Sequence, residues 1–322
     1  MKAIYIEQTG GPDVLRYGDV PKPVAGPGQA LVKIAASGVN FIDTYHRTGL
    51  YKLPLPAILG SEGAGVIEAV GEGVTAFKPG DRVAYAMTRG SYAEYAAVPA
   101  SLLVKIPDSV SFDDAAAVML QGMTAHYLTN STFPLTKDHT VLVHAAAGGT
   151  GRLVVQMAKI LGARVIGTAG SPDKARVAKE AGADEVILYK EHDFLAETKS
   201  LTGGAGVDAV YDSVGADTFM KSLDCLKVRG TLVLFGNASG AVPPFDPLLL
   251  SQKGSLFLTR PNLGNYISDR KELEWRAGDL FRWLSEKKLT LLGEHIYKLA
   301  DAAQAHRDLE GRKTTGKLIL QV

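Results

Sequence analysis

The stretch from Thr140 to Thr168 constrains the fold more than any other part of the chain. Its sequence, TVLVHAAAGGTGRLVVQMAKILGARVIGT, contains an apolar run, a turn of small residues, a helical pattern and a second apolar run. The turn has the spacing AxxGxxG, at Ala145, Gly148 and Gly151. Glycines so placed let a pyrophosphate approach the backbone and let the helix pack close to the preceding strand. Glycine turns are common as plain structure, but the strand, turn, helix, strand order predicts a dinucleotide-binding Rossmann unit.

Five short runs rich in Val, Ile and Leu follow one another in this part of the chain, separated by helical patterns. The predicted strands are Val141 to His144, Arg164 to Thr168, Val186 to Leu188, Ala209 to Tyr211 and Thr231 to Phe235. This alternation is typical of βαβ units with a parallel sheet. Up to about residue 115 the chain instead has short apolar runs broken by Pro- and Gly-rich turns. Such punctuation predicts a compact antiparallel or barrel-like domain without long helices.

The pattern changes again near Pro261. The remaining predicted elements are a charged helix at 271–288, a strand at 295–298, a short helix at 300–310 and a last strand at 317–322. At 322 residues the chain is long for one hydrophobic core. We therefore predict an α/β protein of two domains. A Rossmann-type doubly wound parallel sheet forms residues 123–263, and a mostly β domain combines residues 1–122 with 264–322.

The cofactor is predicted to be NADPH rather than NADH. An NAD site usually presents Asp or Glu at the end of the second strand, where it binds the ribose 2′-hydroxyl. This chain has Thr168-Ala169-Gly170-Ser171 at that place, without an acid. Lys174 can reach a 2′-phosphate and Ser171 can hydrogen-bond to it, although a lysine on a solvated helix face is the plainer alternative. Asp173 is interpreted as a carboxylate in the first turn of the next helix.

Composition excludes several other functions. The 35 Lys and Arg residues are balanced by 34 Asp and Glu, so no global basic field attracts nucleic acid as the main partner. The single cysteine, Cys225, excludes an internal disulfide and an all-cysteine metal site. The seven histidines are scattered singly, without the spacing of metal ligands. The sequence contains no run of about 18 apolar residues, which a membrane-spanning helix would need. We expect a cytoplasmic protein.

Six motifs carry a resemblance to a known family. They are GVNFIDTYHRTGLY from Gly38, GSEGAGVIEAVGEGV from Gly60, KPGDRVAY from Lys78, HAAAGGTG from His144, VYDSVG from Val210 and GNASG from Gly236. Over essentially its whole length the chain resembles the medium-chain dehydrogenase/reductases, and within them the zinc-free quinone oxidoreductases related to zeta-crystallin. The resemblance implies that the mostly β domain is a GroES-like catalytic domain. It also implies a homodimer, which agrees with the apolar edge strand predicted in GSLFLTRP from Gly254.

The resemblance also bears on metal binding. Zinc alcohol dehydrogenases of this superfamily carry Cys where this chain has Asn40, and Gly-His-Glu where it has Gly60-Ser61-Glu62. A catalytic zinc needs three protein ligands with N, S or O donors. Because the thiolate and the imidazole are both replaced, we predict no metal site. Glu62 is then expected to be a structural, hydrogen-bonded carboxylate.

The resemblance further implies which residues form the site. The implied cofactor contacts are Phe41, Ile42, Asp43, Thr44 and Tyr45 at the nicotinamide, Gly148, Gly149, Thr150 and Gly151 at the pyrophosphate, Gly170, Ser171, Lys174 and Tyr189 at the 2′-phosphate, and Ser213, Phe235, Gly236, Asn237, Ala238, Arg260, Pro261 and Arg312 elsewhere. Core packing or surface charge is the alternative for several of them. Asn40, Tyr45 and Tyr51 are the predicted catalytic residues, as hydrogen-bond donors to the acceptor oxygen where charge develops.

The predicted function is metal-independent hydride transfer from NADPH to a quinone. Without a metal, the chemistry falls to the cofactor, and the acceptor must be electron-poor. An alternative is an NADPH-dependent reductase of 2-alkenals or enones, whose carbonyl oxygen also needs only a hydrogen bond. A third reading, of another class, is a crystallin-like or RNA-binding protein that retains NADPH. RNA binding would require a platform of aromatic and basic residues, which the sequence does not show.

Overall fold

The computed structural model describes residues 1–292, 295–311 and 314–322. These residues form two compact units, one made of 1–123 with 266–322 and the other of 124–265. The strands are β1 (Lys2–Ile6), β2 (Arg16–Asp19), β3 (Gln29–Val39), β4 (Ala57–Ile58), β5 (Glu62–Val70), β6 (Arg82–Ala86), β7 (Tyr95–Pro99), β8 (Val104–Lys105), β9 (Thr140–Val143), β10 (Arg164–Ala169), β11 (Glu185–Leu188), β12 (Val207–Asp212), β13 (Leu226–Leu234), β14 (Phe257–Thr259), β15 (His295–Lys298) and β16 (Leu318–Gln321). The helices are α1 (Phe41–Thr48), α2 (Phe112–Tyr127), α3 (Gly149–Ile160), α4 (Pro172–Glu180), α5 (Phe194–Leu201), α6 (Phe219–Asp224), α7 (Leu248–Gln252), α8 (Leu263–Tyr266), α9 (Arg270–Ser285) and α10 (Ala302–Glu310).

The first unit is mostly β. A small antiparallel sheet has the order β2, β1, β4, and a larger sheet has the order β15, β16, β3, β5, β6, β8, with β7 also paired to β3. Strand β3 is the centre of the larger sheet because it pairs antiparallel with β5, β7 and β16. Its apolar side chains pack with those of β5, β6 and β7 in one core cluster that includes Val32, Ile34, Ile67, Val83 and Val98. The end of the chain, β16, is thereby built into the same sheet as residues from its beginning.

Two helices lie in or next to the region, up to about residue 115, for which the sequence predicts short apolar runs broken by turns. Helix α1 begins after Asn40, whose backbone N–H donates to the Asp43 carboxylate at 2.9 Å. It ends at Gly49, which has a φ of 85°. These are cap interactions, and they fix a short helix without a long apolar period. Helix α2 begins at Phe112, where Ser111 accepts the N–H of Asp114 at 2.9 Å.

The second unit confirms the predicted parallel sheet. Its six strands have the order β11, β10, β9, β12, β13, β14, and every neighbouring pair is parallel. All five strands predicted for this region are present, and β14 adds the edge strand expected after Gly254. The core is made by Val, Ile, Leu and Phe side chains between the sheet and its helices, such as Leu142, Ile166 and Phe219. The α/β fold class is therefore as predicted. Among the described residues, no helix is long and apolar enough to cross a membrane.

Candidate cofactor and acceptor site

Each strand of the second unit is followed by at least one predicted cofactor residue. In spatial order across the sheet they are Tyr189 after β11, Gly170 after β10, Gly148 after β9, Ser213 after β12, Phe235 after β13 and Arg260 after β14. Because the strands are parallel, their carboxyl ends share one edge of the sheet, and open α/β sheets bind ligands at that edge. Residues from six separate segments are thus brought to one edge.

The loop after β9 fits a pyrophosphate. Helix α3 begins at Gly149, and the preceding Gly148 has extended backbone angles. A Cβ atom on Gly151 would lie 2.2 Å from the carbonyl oxygen of Ala145, so only glycine allows the first turn of α3 to come this close to the loop. The first amides of a helix have no acceptor within the helix, and its N-terminus carries partial positive charge. Gly149, Thr150 and Gly151 supply these amides.

The end of β10 and the start of α4 fit a 2′-phosphate. The Ser171 hydroxyl accepts the backbone N–H of Lys174 at 3.4 Å, which leaves its own hydrogen available to a ligand. Tyr189 lies against Gly170, since a Cβ there would be 2.8 Å from the tyrosine oxygen. Asp173 lies in the first turn of α4, as interpreted from the sequence. The structure therefore gathers one hydroxyl, one lysine and one aromatic ring around a strand end that lacks an acid.

The loops after β12 and β13 contact each other. A Cβ on Gly236 would lie 2.3 Å from the Ser213 carbonyl oxygen, and the same oxygen accepts the Ala238 N–H at 3.2 Å. Phe235 and Asn237 lie half-buried in the second of these loops. Pro261 follows β14 and the exposed Arg260. Arg312 lies outside the described residues, so its predicted contact is not located.

The residues predicted to contact the nicotinamide lie on α1, and their side chains do not share one face of this helix. Five consecutive residues were expected to contact the cofactor, but a helical turn sends neighbouring side chains in different directions. Asp43 and Thr44 are buried inside the first unit. The half-buried side chains of α1 are Phe41, Ile42, Tyr45 and His46. The prediction is therefore corrected for the side chains of Asp43 and Thr44, which are buried within the first unit.

Asp43 is the acceptor of a buried hydrogen-bond cluster. One carboxylate oxygen accepts from the Ser61 hydroxyl at 2.7 Å, and the other accepts the Asn40 backbone N–H at 2.9 Å and the Tyr92 hydroxyl at 3.0 Å. Complete burial nevertheless raises the pKa of Asp43 to about 6, against the opposing effect of these hydrogen bonds. The carboxylate thus fixes the start of α1 to two other segments of the unit.

The Asn40 side chain is also hydrogen-bonded within the first unit. Its side-chain amide donates to the Glu62 carboxylate at 2.8 Å and to the Gly38 carbonyl at 3.2 Å, and its oxygen accepts from the Lys317 ammonium at 2.6 Å. An amide has two hydrogens, and both are given to acceptors within the protein. The prediction that Asn40 donates to the substrate is therefore corrected. Its side chain instead holds the N-terminus of α1 in place.

The residues at the zinc-ligand positions do not fit a zinc ion. Glu62 and Lys317 form an ion pair at 2.6 Å with side-chain exposures of 0% and 3%, and the Ser61 hydroxyl is committed to Asp43. An ammonium therefore already neutralises the one carboxylate of this set, and it would repel a divalent cation. No group of three or more His, Cys, Asp or Glu side chains within residues 1–292, 295–311 and 314–322 could hold a metal ion.

Tyr45 on α1 and Tyr51, which follows the helix, form an aromatic group. The ring centroids of Tyr45 and Tyr51 are 5.3 Å apart, in an edge-to-face arrangement, and the Tyr51 N–H donates to the Tyr45 carbonyl at 3.0 Å. The His46 ring lies 5.9 Å from that of Tyr51. Burial lowers the pKa of His46, and the nearby Arg89 lowers it further. The two predicted tyrosine donors are therefore brought together.

The far end of α1 is held by a second buried cluster that the sequence did not reveal. The Arg47 guanidinium donates to both carboxylate oxygens of Glu310, at 3.0 and 2.7 Å, and to His306 Nδ1 at 2.9 Å. His306 Nε2 lies 3.2 Å from the Tyr92 hydroxyl. Burial lowers the pKa of His306 to about 3, and Arg47 acts in the same direction. No spacing in the sequence signals these contacts, because their members are up to 263 residues apart.

Comparison with known proteins adds independent evidence. Residues 26–108 match the family described as "Alcohol dehydrogenase GroES-like domain", and residues 149–273 match "Zinc-binding dehydrogenase". The chain is 47% identical to a quinone oxidoreductase of Pseudomonas aeruginosa, over 99% of both chains. It is 42% identical to a 2-haloacrylate reductase of a Burkholderia species, over 99% of this chain and 98% of that one. The crystal structure of an Escherichia coli quinone oxidoreductase complexed with NADPH has a TM-score of 0.97 and 42% identity, with both chains fully covered.

The clusters around α1 predict opposite pH effects on stability. In the folded protein His306 stays neutral between pH 7 and 5, whereas in the unfolded chain it is protonated once the pH falls below its usual pKa. Lowering the pH from 7 to 5 therefore decreases the free energy of unfolding by about 2 kcal/mol. Asp43 takes its proton near pH 6 only in the folded state, so the same change contributes about 1 kcal/mol of stability. His306→Gln should remove the loss, and Asp43→Asn should remove the gain.

The measurement is urea unfolding of each variant at pH 7, 6 and 5. Relative to the original protein, the change in unfolding free energy from pH 7 to 5 should be about 2 kcal/mol more favourable for His306→Gln. It should be about 1 kcal/mol less favourable for Asp43→Asn. The exposed His192, replaced by Gln, is the control and should keep the original difference. Identical pH differences in all four proteins would contradict the prediction.

Proposed function

This chain belongs to the quinone oxidoreductases of the medium-chain dehydrogenase/reductase superfamily, and from that membership we propose that it transfers a hydride from NADPH to a quinone. The observation that carries this function is the carboxyl edge of the parallel sheet. There the start of α3 fits a pyrophosphate, and the segment after β10 offers Ser171 and Lys174 but no acid. A cofactor with a 2′-phosphate suits such an edge better than one without it.

When bound, NADPH supplies the hydride, and the protein orients the reactants and stabilises developing charge. The amides at the start of α3 bind the pyrophosphate, and Lys174 with Ser171 binds the 2′-phosphate. A tyrosine hydroxyl, from Tyr45 or Tyr51, donates a hydrogen bond to the acceptor oxygen as negative charge forms there. Because the set of Asn40, Ser61 and Glu62 does not suit a Lewis-acid metal, the acceptor is an electron-poor carbonyl such as a quinone.

A second acceptor class is favoured by one relative. The Burkholderia protein with 42% identity is a 2-haloacrylate reductase, and a haloacrylate is an α,β-unsaturated acid. Enones and 2-alkenals share with quinones an electron-poor double bond conjugated to a carbonyl. Reduction of such a compound also needs one hydrogen bond on the carbonyl oxygen, which the tyrosine pair can supply.

We further propose a homodimer formed through β14. This strand is the edge of the parallel sheet, and its Phe257 is 59% exposed. Val228 of the neighbouring β13 is 75% exposed. An apolar edge strand favours pairing with a second copy across a two-fold axis, which continues the sheet.

A cytoplasmic location is also proposed, since the single cysteine, Cys225, is buried and cannot form an internal disulfide.

The first prediction of this function concerns cofactor choice. Replacing Lys174 by Ala should weaken NADPH binding by about 10- to 100-fold and leave NADH binding nearly unchanged, because one charge-assisted contact to the 2′-phosphate is lost. Arg176→Ala, which removes an exposed charge from the same helix, is the matched control and should change neither affinity. Dissociation constants from fluorescence titration give the comparison. An equal loss for both cofactors in Lys174→Ala would assign this lysine a structural role.

The second prediction concerns the reaction. With NADPH the protein should reduce small quinones, and with NADP it should not oxidise simple alcohols, because no metal stabilises an alkoxide. Tyr45→Phe or Tyr51→Phe should lower kcat about 10- to 100-fold for the residue that donates to the acceptor, with the NADPH dissociation constant unchanged. Absorbance of the reduced cofactor follows the reaction. Ready alcohol oxidation would defeat the proposal, and a preference for enones over quinones would select the second acceptor class.

The third prediction concerns assembly. Sedimentation at micromolar concentration should show a dimer, and Phe257→Lys should shift it toward monomer by placing charge on the edge strand. Tyr17→Lys is the control, because Tyr17 is an exposed aromatic residue of the first unit, 48% accessible. The proposed interface fails if Phe257→Lys stays dimeric or if the original protein sediments as a monomer.

A further inference from the structure

Four polar side chains form a buried cluster beneath the carboxyl edge of the parallel sheet. They are Thr168 in β10, His144 just after β9, Asp212 at the end of β12 and Ser222 in α6, with exposures of 2%, 1%, 0% and 0%. Hydrogen bonds between side chains join Thr168 to His144, His144 to Ser222, and Ser222 to Asp212. The cluster therefore spans three adjacent strands of the sheet, β10, β9 and β12, under the loops proposed to bind the cofactor.

The hydrogen bonds of this cluster have one consistent direction. The Ser222 hydroxyl donates to the Asp212 carboxylate at 3.0 Å. The Ser222 oxygen then accepts from His144 Nε2 at 3.0 Å. With its proton on Nε2, His144 offers Nδ1 as an acceptor to the Thr168 hydroxyl, 3.1 Å away. Burial lowers the pKa of His144, which favours this neutral form.

Both ends of the cluster hold cofactor loops. At one end, the Thr168 hydroxyl oxygen accepts the Ala145 N–H at 3.3 Å, and the Thr168 carbonyl accepts the next amide at 3.0 Å. Ala145 has a φ of 50°, a left-handed conformation that a non-glycine residue adopts only when its surroundings hold it. At the other end, Asp212 accepts the amides of Val214 and Gly215 at 2.8 and 3.1 Å.

The cluster contains serine, histidine and aspartate, but it cannot act as a nucleophilic triad. In such a triad the histidine lies between the serine and the carboxylate. Here Ser222 lies between His144 and Asp212, and its hydrogen is given to the carboxylate. All three side chains are also buried from substrate. The arrangement suits a structural task, the fixing of one loop relative to another.

We propose that Thr168, His144, Ser222 and Asp212 form a positioning relay, in which His144 sets the distance between the pyrophosphate loop and the loop after β12. Neither loop can shift without breaking a hydrogen bond between buried groups, and such a break is costly. The relay therefore raises the affinity for NADPH by holding the loops in their binding conformation before the cofactor arrives. This inference rests on the proposed function only in taking NADPH as the ligand.

The test is the NADPH dissociation constant, measured by fluorescence titration without an acceptor. Thr168→Val keeps the shape of the side chain but removes the bonds to His144 and Ala145, and it should weaken NADPH binding about 10-fold. Thr198→Val is the matched control, because Thr198 is equally buried in α5 of the same unit and outside the relay. It should bind NADPH within about twofold of the original protein.

Two replacements of His144 separate positioning from simple stabilisation and serve if Thr168→Val does not fold. His144→Asn places an amide oxygen near the Nδ1 position, where it can accept from Thr168, whereas His144→Gln places its amide near Nε2 and keeps only the Ser222 contact. His144→Asn should therefore bind NADPH at least about threefold more tightly than His144→Gln. Equal affinities of these two variants, or an unchanged affinity of Thr168→Val, would overturn the relay. Failure of the original protein to bind NADPH would instead overturn the proposed function.

Discussion

The common direction of the six strands in the second unit is the constraint on which the cofactor site depends. Parallel strands end at one edge, so every loop that follows a strand is delivered to the same side of the sheet. Residues as distant in sequence as Gly148 and Arg260 are thereby placed along one edge. The close approach of α3 to the Ala145 carbonyl, which Gly151 permits, adds a helix N-terminus to this edge.

The first unit reaches its functional geometry in a different way. Helix α1 has only eight residues, and its orientation is determined by buried polar side chains at both ends. The start is fixed by Asp43 and by the pair of Glu62 and Lys317, and the end by Arg47 on Glu310. Burying charges is expensive unless each finds a partner, so removal of one member leaves an uncompensated charge. The half-buried face of α1, which includes Tyr45, is thus held by interactions of the buried side chains of the helix.

Local patterns were sufficient to predict most of the second unit. Each of its strands is a short apolar run, and the glycine loop lies within 29 residues of sequence, so the sequence near each element determines it. The side-chain contacts around α1 in the first unit could not be predicted in this way. Asn40 and Asp43 stand in a motif whose resemblance implied contacts with substrate and cofactor, yet their side chains bind residues brought from far along the chain. Likewise the sequence predicts His144 only as the end of a strand, because its partner Ser222 lies 78 residues away.

The anchoring of α1 by His306, Glu310 and Lys317 has a consequence during protein synthesis. The second unit is one continuous segment, residues 124–265, so it can fold as soon as that segment has left the ribosome. The first unit is discontinuous, and its helix α1 is translated some 260 residues before its last anchors. A nascent chain therefore acquires the parallel sheet early, whereas α1 is anchored only after β16 has been made. The continuous unit is complete before the buried partners of α1 in the discontinuous unit have been synthesised.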